Sequence, residues 1–85
     1  MFMGGYGMIG KALKYMRLKN NFCQEDIAKQ INIRSNALSQ YETGTRQPTF
    51  ETIEKIADLC NFDIYFQNRN TKETFKLKDI NRKDI

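Results

Sequence analysis

Apolar positions repeat along this chain at two periods, and the change from one to the other divides it. Ile9, Ala12, Leu13 and Met16 follow the i, i+3, i+4, i+7 spacing of one helix face, while Lys11, Lys14 and Lys19 fall largely elsewhere, so Ile9–Lys19 is predicted as a first helix. Asn20-Asn21 signals a turn. Cys23–Ile31 is a second helix with Ile27, Ala28 and Ile31 inward, and Glu25 and Asp26 in its first turn favour the positive end of the helix dipole. Cys23 stands where an N-cap belongs, and Cys caps poorly compared with Ser or Thr.

A three-residue connection, Asn32-Ile33-Arg34, leads into a third short helix over Ser35–Glu42 with Leu38 and Tyr41 facing in. Asn tolerates the left-handed conformation of a tight inter-helix turn, and Ile33, apolar in a polar turn, is expected between the helices. Thr43-Gly44 closes that helix. A loop with the only proline, Pro48, follows, and Thr49 caps a fourth helix over Phe50–Cys60, its inner face built of Ile53, Ile56, Ala57 and Cys60. From Phe62 the period drops to two. Phe62, Ile64 and Phe66 alternate with Asp63, Tyr65 and Gln67, and after a polar turn at Asn68–Lys72 the segment Glu73–Lys78 alternates again with Phe75 and Leu77 on one face. A hairpin is expected, the alternative being one extended strand and a frayed tail. The fold class is therefore mainly α: four compact helices followed by a short C-terminal β-strand or hairpin.

The ends fit neither pattern. Met1–Gly7 carries three glycines without periodicity and is expected to be a flexible leader, and residues 81–85 are expected to fray. Met8, just before the helical patterning, is a candidate translation start, since Gly4-Gly5 can be encoded by a ribosome-binding sequence. The expected organisation is a leader over residues 1–7, a helical domain over 8–61, a strand or hairpin over 62–80 and a tail over 81–85.

Composition narrows the chemistry. The 85 residues make one small domain, with 40% apolar and 12% aromatic residues to build its core. There is no His, so the commonest acid/base catalyst and metal ligand is missing, and no nucleophile–base motif or Gly-rich phosphate loop appears. No enzyme, cofactor or metal site is expected. Cys23 and Cys60 lack metal-ligand spacing and read as reduced cysteines of a cytoplasmic protein; no apolar run is long enough to span a membrane. The net charge of +4 is uneven. Gly10–Arg46 holds seven basic residues against three acidic ones, whereas Gln47–Ile85 holds seven of each. A cationic patch so confined suits a polyanionic partner, although solubility alone is a competing reading.

The second helix, the tight turn and the third helix make a helix-turn-helix. The segment QEDIAKQINIRSNALSQYETGTRQPT (Gln24–Thr49) resembles the DNA-binding domains of the lambda repressor/Cro (Xre-like) family. Its markers stand in register: Gln24 opening the second helix, Ala28 at the helix contact, Ile33 in the turn, Leu38, then Glu42, Gly44 and Pro48-Thr49. The resemblance runs from Ile9 to Phe62, with Cys23 in place of the usual hydroxyl cap and Asn32 in place of the usual turn glycine. It implies a lambda-repressor-like domain, bacterial or phage-encoded, acting on double-stranded DNA as a transcriptional regulator.

On that reading the residues near the start of the third helix reach base edges in the major groove. Here they are Ser35, Asn36, Ser39 and Gln40, two of them amides able to bond N6 and N7 of adenine, so A·T pairs are expected in the half-site. Gln24, Arg34, Thr43 and Arg46 are expected phosphate contacts. The resemblance also implies that Gln24 braces the amide of Gln40 and that Arg17 pairs internally with Glu42. A homodimer on a pseudo-palindrome is expected, with Phe62, Ile64, Phe66, Phe75 and Leu77 offering an apolar face, unless those side chains pack on the chain's own helices. The alternative function is that of an antitoxin, similar to Xre-like antitoxins, which would add a protein partner such as a toxin or anti-repressor. RNA binding is less favoured, because no aromatic stacking platform accompanies the basic patch.

Overall fold

The computed structural model describes residues 5–80. Four helices, α1 (Gly5–Lys19), α2 (Gln24–Gln30), α3 (Ser35–Thr43) and α4 (Phe50–Leu59), precede two short strands, β1 (Phe66–Gln67) and β2 (Thr74–Phe75), and a 3-10 turn at Leu77–Asp79. Leu13, Ile27, Leu38, Ile56 and Cys60 are fully buried where the helices meet, with Met16, Ala28 and Ala57 beside them. Phe22, Ile31, Ile33, Ile53, Phe62 and Ile64 close the rim of this core.

Each helix stops in the same way. Asn21, Asn32, Gly44 and Asn61 follow the ends of α1, α2, α3 and α4 with φ of 58°, 60°, 88° and 66°. The next residue then donates its N–H to a carbonyl five residues back: Phe22 to Arg17 at 3.2 Å, Ile33 to Ala28 at 2.9 Å, Thr45 to Gln40 at 3.1 Å and Phe62 to Ala57 at 2.9 Å. This is the Schellman arrangement, which satisfies carbonyls that a helix end leaves unpaired. At three of the four ends the donor is apolar and packs on the core, so the stop signal is also a hydrophobic anchor. Ile33 is explained by this: the turn between α2 and α3 needs an apolar side chain after the left-handed Asn32.

The helix starts differ. Thr49 accepts the N–H of Thr52 at 3.2 Å, a normal cap for α4. At α2 the Cys23 thiol donates instead, to Asp26 Oδ2 at 3.0 Å, and the same oxygen receives the Cys23 N–H at 3.4 Å. Asp26 thus reaches back to occupy the N–H of the N-cap residue, the carboxylate half of a capping box. These bonds hold its carboxyl below the ordinary range, the thiol contact contributing most.

Three sequence expectations change. First, α1 begins at Gly5 rather than Ile9, so residues 5–7 of the expected leader are helical, while residues 1–4 lie outside the described residues, as do 81–85. Second, the inner stripe of α1 is Gly10, Leu13, Met16 and Arg17, and Ala12 is exposed. The helix is turned so that Gly10 meets α3: a Cβ there would lie 2.4 Å from the Tyr41 carbonyl oxygen and 2.7 Å from that of Glu42. Third, the hairpin forms, but its ladder is only two residues long, Phe66 opposite Phe75 and Gln67 opposite Thr74. Phe62 and Ile64 are half-buried on the helices, and Leu77 enters the 3-10 turn, where Asp79 accepts the Lys76 N–H at 2.9 Å.

The close approach at Gly10 gives a stability test. Ala is favoured over Gly in a helix interior by about 1 kcal/mol, but here its methyl must displace backbone of α3. We expect Gly10→Ala to lose about 1–3 kcal/mol in urea unfolding, in the range of overpacked cores; a stabilised variant would refute the close approach.

Candidate nucleic-acid interface

The centre of the site is a buried network rather than its surface. Arg17 on α1 and Glu42 on α3 are only 8% and 7% exposed. Arg17 Nε donates to Glu42 Oε2 at 2.7 Å and Nη2 to Oε1 at 2.9 Å, a two-point pairing, and Nη1 donates to the Phe22 carbonyl at 2.8 Å. Gln24, the first residue of α2, adds its Nε2 to Glu42 Oε1 at 3.0 Å. Glu42 therefore accepts three hydrogen bonds and joins three helices. The pairing raises the pKa of Arg17 above its ordinary value, against a smaller opposing effect of burial. Cys60, buried close by, has its thiol pushed up chiefly by desolvation, which leaves it a poor nucleophile.

Upon this network sits the outer face of α3. Ser35, Asn36 and Gln40 are exposed and Ser39 is half-buried, all on the helix that follows the tight turn. Arg34 is exposed at the N-cap of α3. At the other end the Gln40 carbonyl gathers the N–H groups of Gly44, Thr45 and Arg46 at 3.0, 3.1 and 3.3 Å and the hydroxyls of Thr43 and Thr45 at 3.2 and 3.3 Å. Gly44 supplies the positive φ that lets the chain fold back so tightly. The Arg46 guanidinium lies over the Tyr41 ring, 5.8 Å from its centre, which holds its charge beside the end of α3.

The expected bracing of Gln40 by Gln24 is absent among the described hydrogen bonds, because the Gln24 amide is turned inward to Glu42. Two contributors escaped the sequence reading. Thr45 doubles Thr43, its hydroxyl 3.2 Å away on the same carbonyl; the Thr-Gly-Thr run was its only signal. Gly10 shapes the seat of α3, and an isolated glycine inside a helical pattern was the clue. Lys11, Lys14, Lys19, Lys29, Arg34 and Arg46 are all exposed, so the internal pairing of Arg17 leaves six cations against Glu25 and Asp26 on this part of the surface.

Residues 13–66 match the helix-turn-helix family model HTH_3. The chain belongs to this helix-turn-helix family. Among similar curated proteins, the HTH-type transcriptional regulator ImmR of Bacillus subtilis is 40% identical over 62% of this chain. The uncharacterized HTH-type transcriptional regulator YqaF of Bacillus subtilis is 34% identical over 85% of it. The cryptic phage CTXphi transcriptional repressor RstR of Vibrio cholerae is 34% identical over 67% of it. The aligned part is 42% of ImmR and 51% of RstR but 97% of YqaF. A chain in a solved structure titled HipA-HipB-O2-O3 complex has the same fold, with a TM-score of 0.62 at 22% identity, over 80% of this chain and 96% of that one. Among the described residues no helix is long and apolar enough to cross a membrane.

The buried pair makes its own prediction. Glu42→Ala leaves the Arg17 charge buried without its partner and is expected to cost about 3–5 kcal/mol, whereas replacing both residues by Arg17→Met and Glu42→Leu should cost clearly less. Denaturant melts of the two variants check this ordering.

Proposed function

We propose that the protein is a sequence-specific DNA-binding transcriptional regulator, a cytoplasmic repressor that sits as a dimer on a pseudo-palindromic operator and blocks polymerase. The observation that carries this reading is the exposed face of Ser35, Asn36 and Gln40 on a helix held rigid from beneath by the Arg17–Glu42–Gln24 network. The likeness to the repressor RstR supports the same direction of control.

In this reading α3 enters the major groove and its amides read adenine. Ser39 contributes at the margin of that face, since it is half-buried. Arg34, Arg46 and Thr43 bond phosphates, Thr43 by turning its hydroxyl away from the Gln40 carbonyl. Gln24 keeps one amide hydrogen on Glu42 and has the other for a phosphate. A second copy is needed because one α3 covers half a site. Its docking face is the aromatic row of Phe50, Phe66 and Phe75, whose ring centres are 6.1 and 5.2 Å apart in sequence along the row and which stay 39%, 44% and 38% exposed.

A second reading, an antitoxin with a protein partner, is favoured by one observation: the antitoxin PezA of Streptococcus pneumoniae is 37% identical over 64% of this chain. DNA binding and partner binding are compatible in this reading, since the exposed residues of α3 and the aromatic row belong to different elements.

Selection of binding sites from random duplex should enrich a palindrome with A·T pairs in each half; failure to enrich any sequence would remove the proposal. Gln40→Ala should lose about 1–3 kcal/mol of discrimination between selected and random duplex while keeping most of its non-specific affinity. For the dimer, Phe66→Ser with Phe75→Ser should convert a sedimenting dimer to monomer; a wild-type chain monomeric with and without operator would rule the dimer out.

A further inference from the structure

The segment after α4 folds back along that helix. Phe62 is tied to the end of α4 through its N–H on the Ala57 carbonyl at 2.9 Å, whereas Phe66 stacks on Phe50, the first residue of α4. The returning strand retraces the path. Phe75 pairs with Phe66, Lys76 bonds Asp63 at 2.9 Å and Lys78 approaches Asp58 on α4 at 3.6 Å. The hairpin thus runs back along α4, and its tip, Asn68–Lys72, follows directly on the strand whose Phe66 stacks on the first residue of that helix. The start of α4 is also where the loop carrying Arg46 arrives from the end of α3.

Charge along this hairpin is divided. Two of its lysines are matched near the base, in the pairs Asp63–Lys76 and Asp58–Lys78. At the tip Arg69 and Lys72 are exposed and, among the described residues, neither meets a carboxylate within salt-bridge distance, that of the adjacent Glu73 included. The tip itself is ordered. Asn68 Oδ1 accepts the N–H groups of Asn70 at 2.9 Å and Thr71 at 3.2 Å, and the Lys72 N–H reaches the Asn68 carbonyl at 2.7 Å. The hairpin therefore presents two exposed cations, on a hydrogen-bonded backbone, just beyond the Phe66–Phe50 stack at the helix start that the α3–α4 loop leads into.

We propose that this tip is a second DNA contact, in which Arg69 and Lys72 bond backbone phosphates outside those approached by Arg34, Thr43 and Arg46. The inference rests on the DNA-binding reading of α3 and adds a site to it. Its ligand is the phosphodiester backbone, so it contributes affinity and salt dependence without sequence information.

The test measures affinity against salt for selected and random duplexes, using the full chain and Arg69→Gln with Lys72→Gln. Removing one phosphate neutralisation lowers the slope of log affinity on log salt by about 0.9, so in a dimer, which carries two tips, the double variant should lose about 3.6 and each single variant half of that. The loss should be equal on both duplexes, with the melting temperature unchanged, and the swapped variant Arg69→Lys with Lys72→Arg should restore the slope. An unaltered slope in a folded double variant overturns the tip contact and leaves the α3 reading standing. A loss confined to the selected duplex overturns the phosphate assignment. A wild-type chain that binds neither duplex takes down both the proposed function and this inference.

Discussion

The orientation of α3 depends on one carboxylate. Glu42 lies near the end of that helix, buried, and accepts from Arg17 on α1 and from Gln24 at the start of α2. Two charges removed from water are tolerable only when their remaining donors and acceptors are occupied. Here they are: the third direction of the guanidinium goes to the Phe22 carbonyl, in the turn that joins α1 to α2. A rotation of α3 about its axis would swing Glu42 out of this geometry and leave Arg17 buried and unmatched. The network contributes little net stability compared with an apolar replacement, and its effect is geometric: it selects one rotation of α3 and so one set of outward residues.

Helix ends complete that selection. A helix-turn-helix surface is useful only if α2 and α3 keep a fixed angle, and the short connection gives little material to fix it. The left-handed Asn32 and the N–H of Ile33 on the Ala28 carbonyl set the backbone path. The Ile33 side chain then packs on the core, so changing the angle would expose apolar surface. Asn20 adds a polar version of this device, its Nδ2 bonding the carbonyls of Met16 and Cys60 at 2.9 and 2.8 Å and so fastening the end of α1 to the end of α4. At α3 the stop is built on the Gln40 carbonyl, while the Gln40 side chain faces out. The same residue thus anchors the loop with its backbone and leaves its amide exposed, as the proposed base contact requires.

Much of this was legible because it is local. Apolar spacing disclosed all four helices, Asn32 and Gly44 announced left-handed stops, and Thr49 announced a cap. Cys23 reads as a weak cap and its thiol donates to Asp26 rather than accepting a helix N–H, a local feature that residue types alone do disclose. What escaped depends on distant neighbours. Nothing near Gly10 in sequence says that the carbonyls of Tyr41 and Glu42 will lie against it, and without that contact Ala12 is the natural choice for the inner stripe. The hairpin was over-extended for a similar reason. Alternation at Phe62 and Ile64 reflects packing on the helices rather than pairing with a second strand. At the interface, the residue types on α3 were readable from the motif, but the inward turn of the Gln24 amide was not, since it depends on where Glu42 comes to rest.

Affinity and specificity are consequently assigned to different parts of the molecule. The side chains proposed to read bases are uncharged, and uncharged groups gain nothing from the long-range field that brings a protein to DNA. The cations proposed to supply that field stand around them on α1, α2, the α3–α4 loop and the hairpin tip, on elements that need no particular base beneath them. Arg17 is the exception that clarifies the division. It is as cationic as any of these, yet its charge is consumed by Glu42, and what it contributes is the angle at which the uncharged residues are presented. Net charge alone would count it with the others. Its burial puts it on the side of specificity in the proposed reading, because a small rotation of α3 would leave the lysines of α1 and α2 in place and still change the direction in which Asn36 and Gln40 are presented.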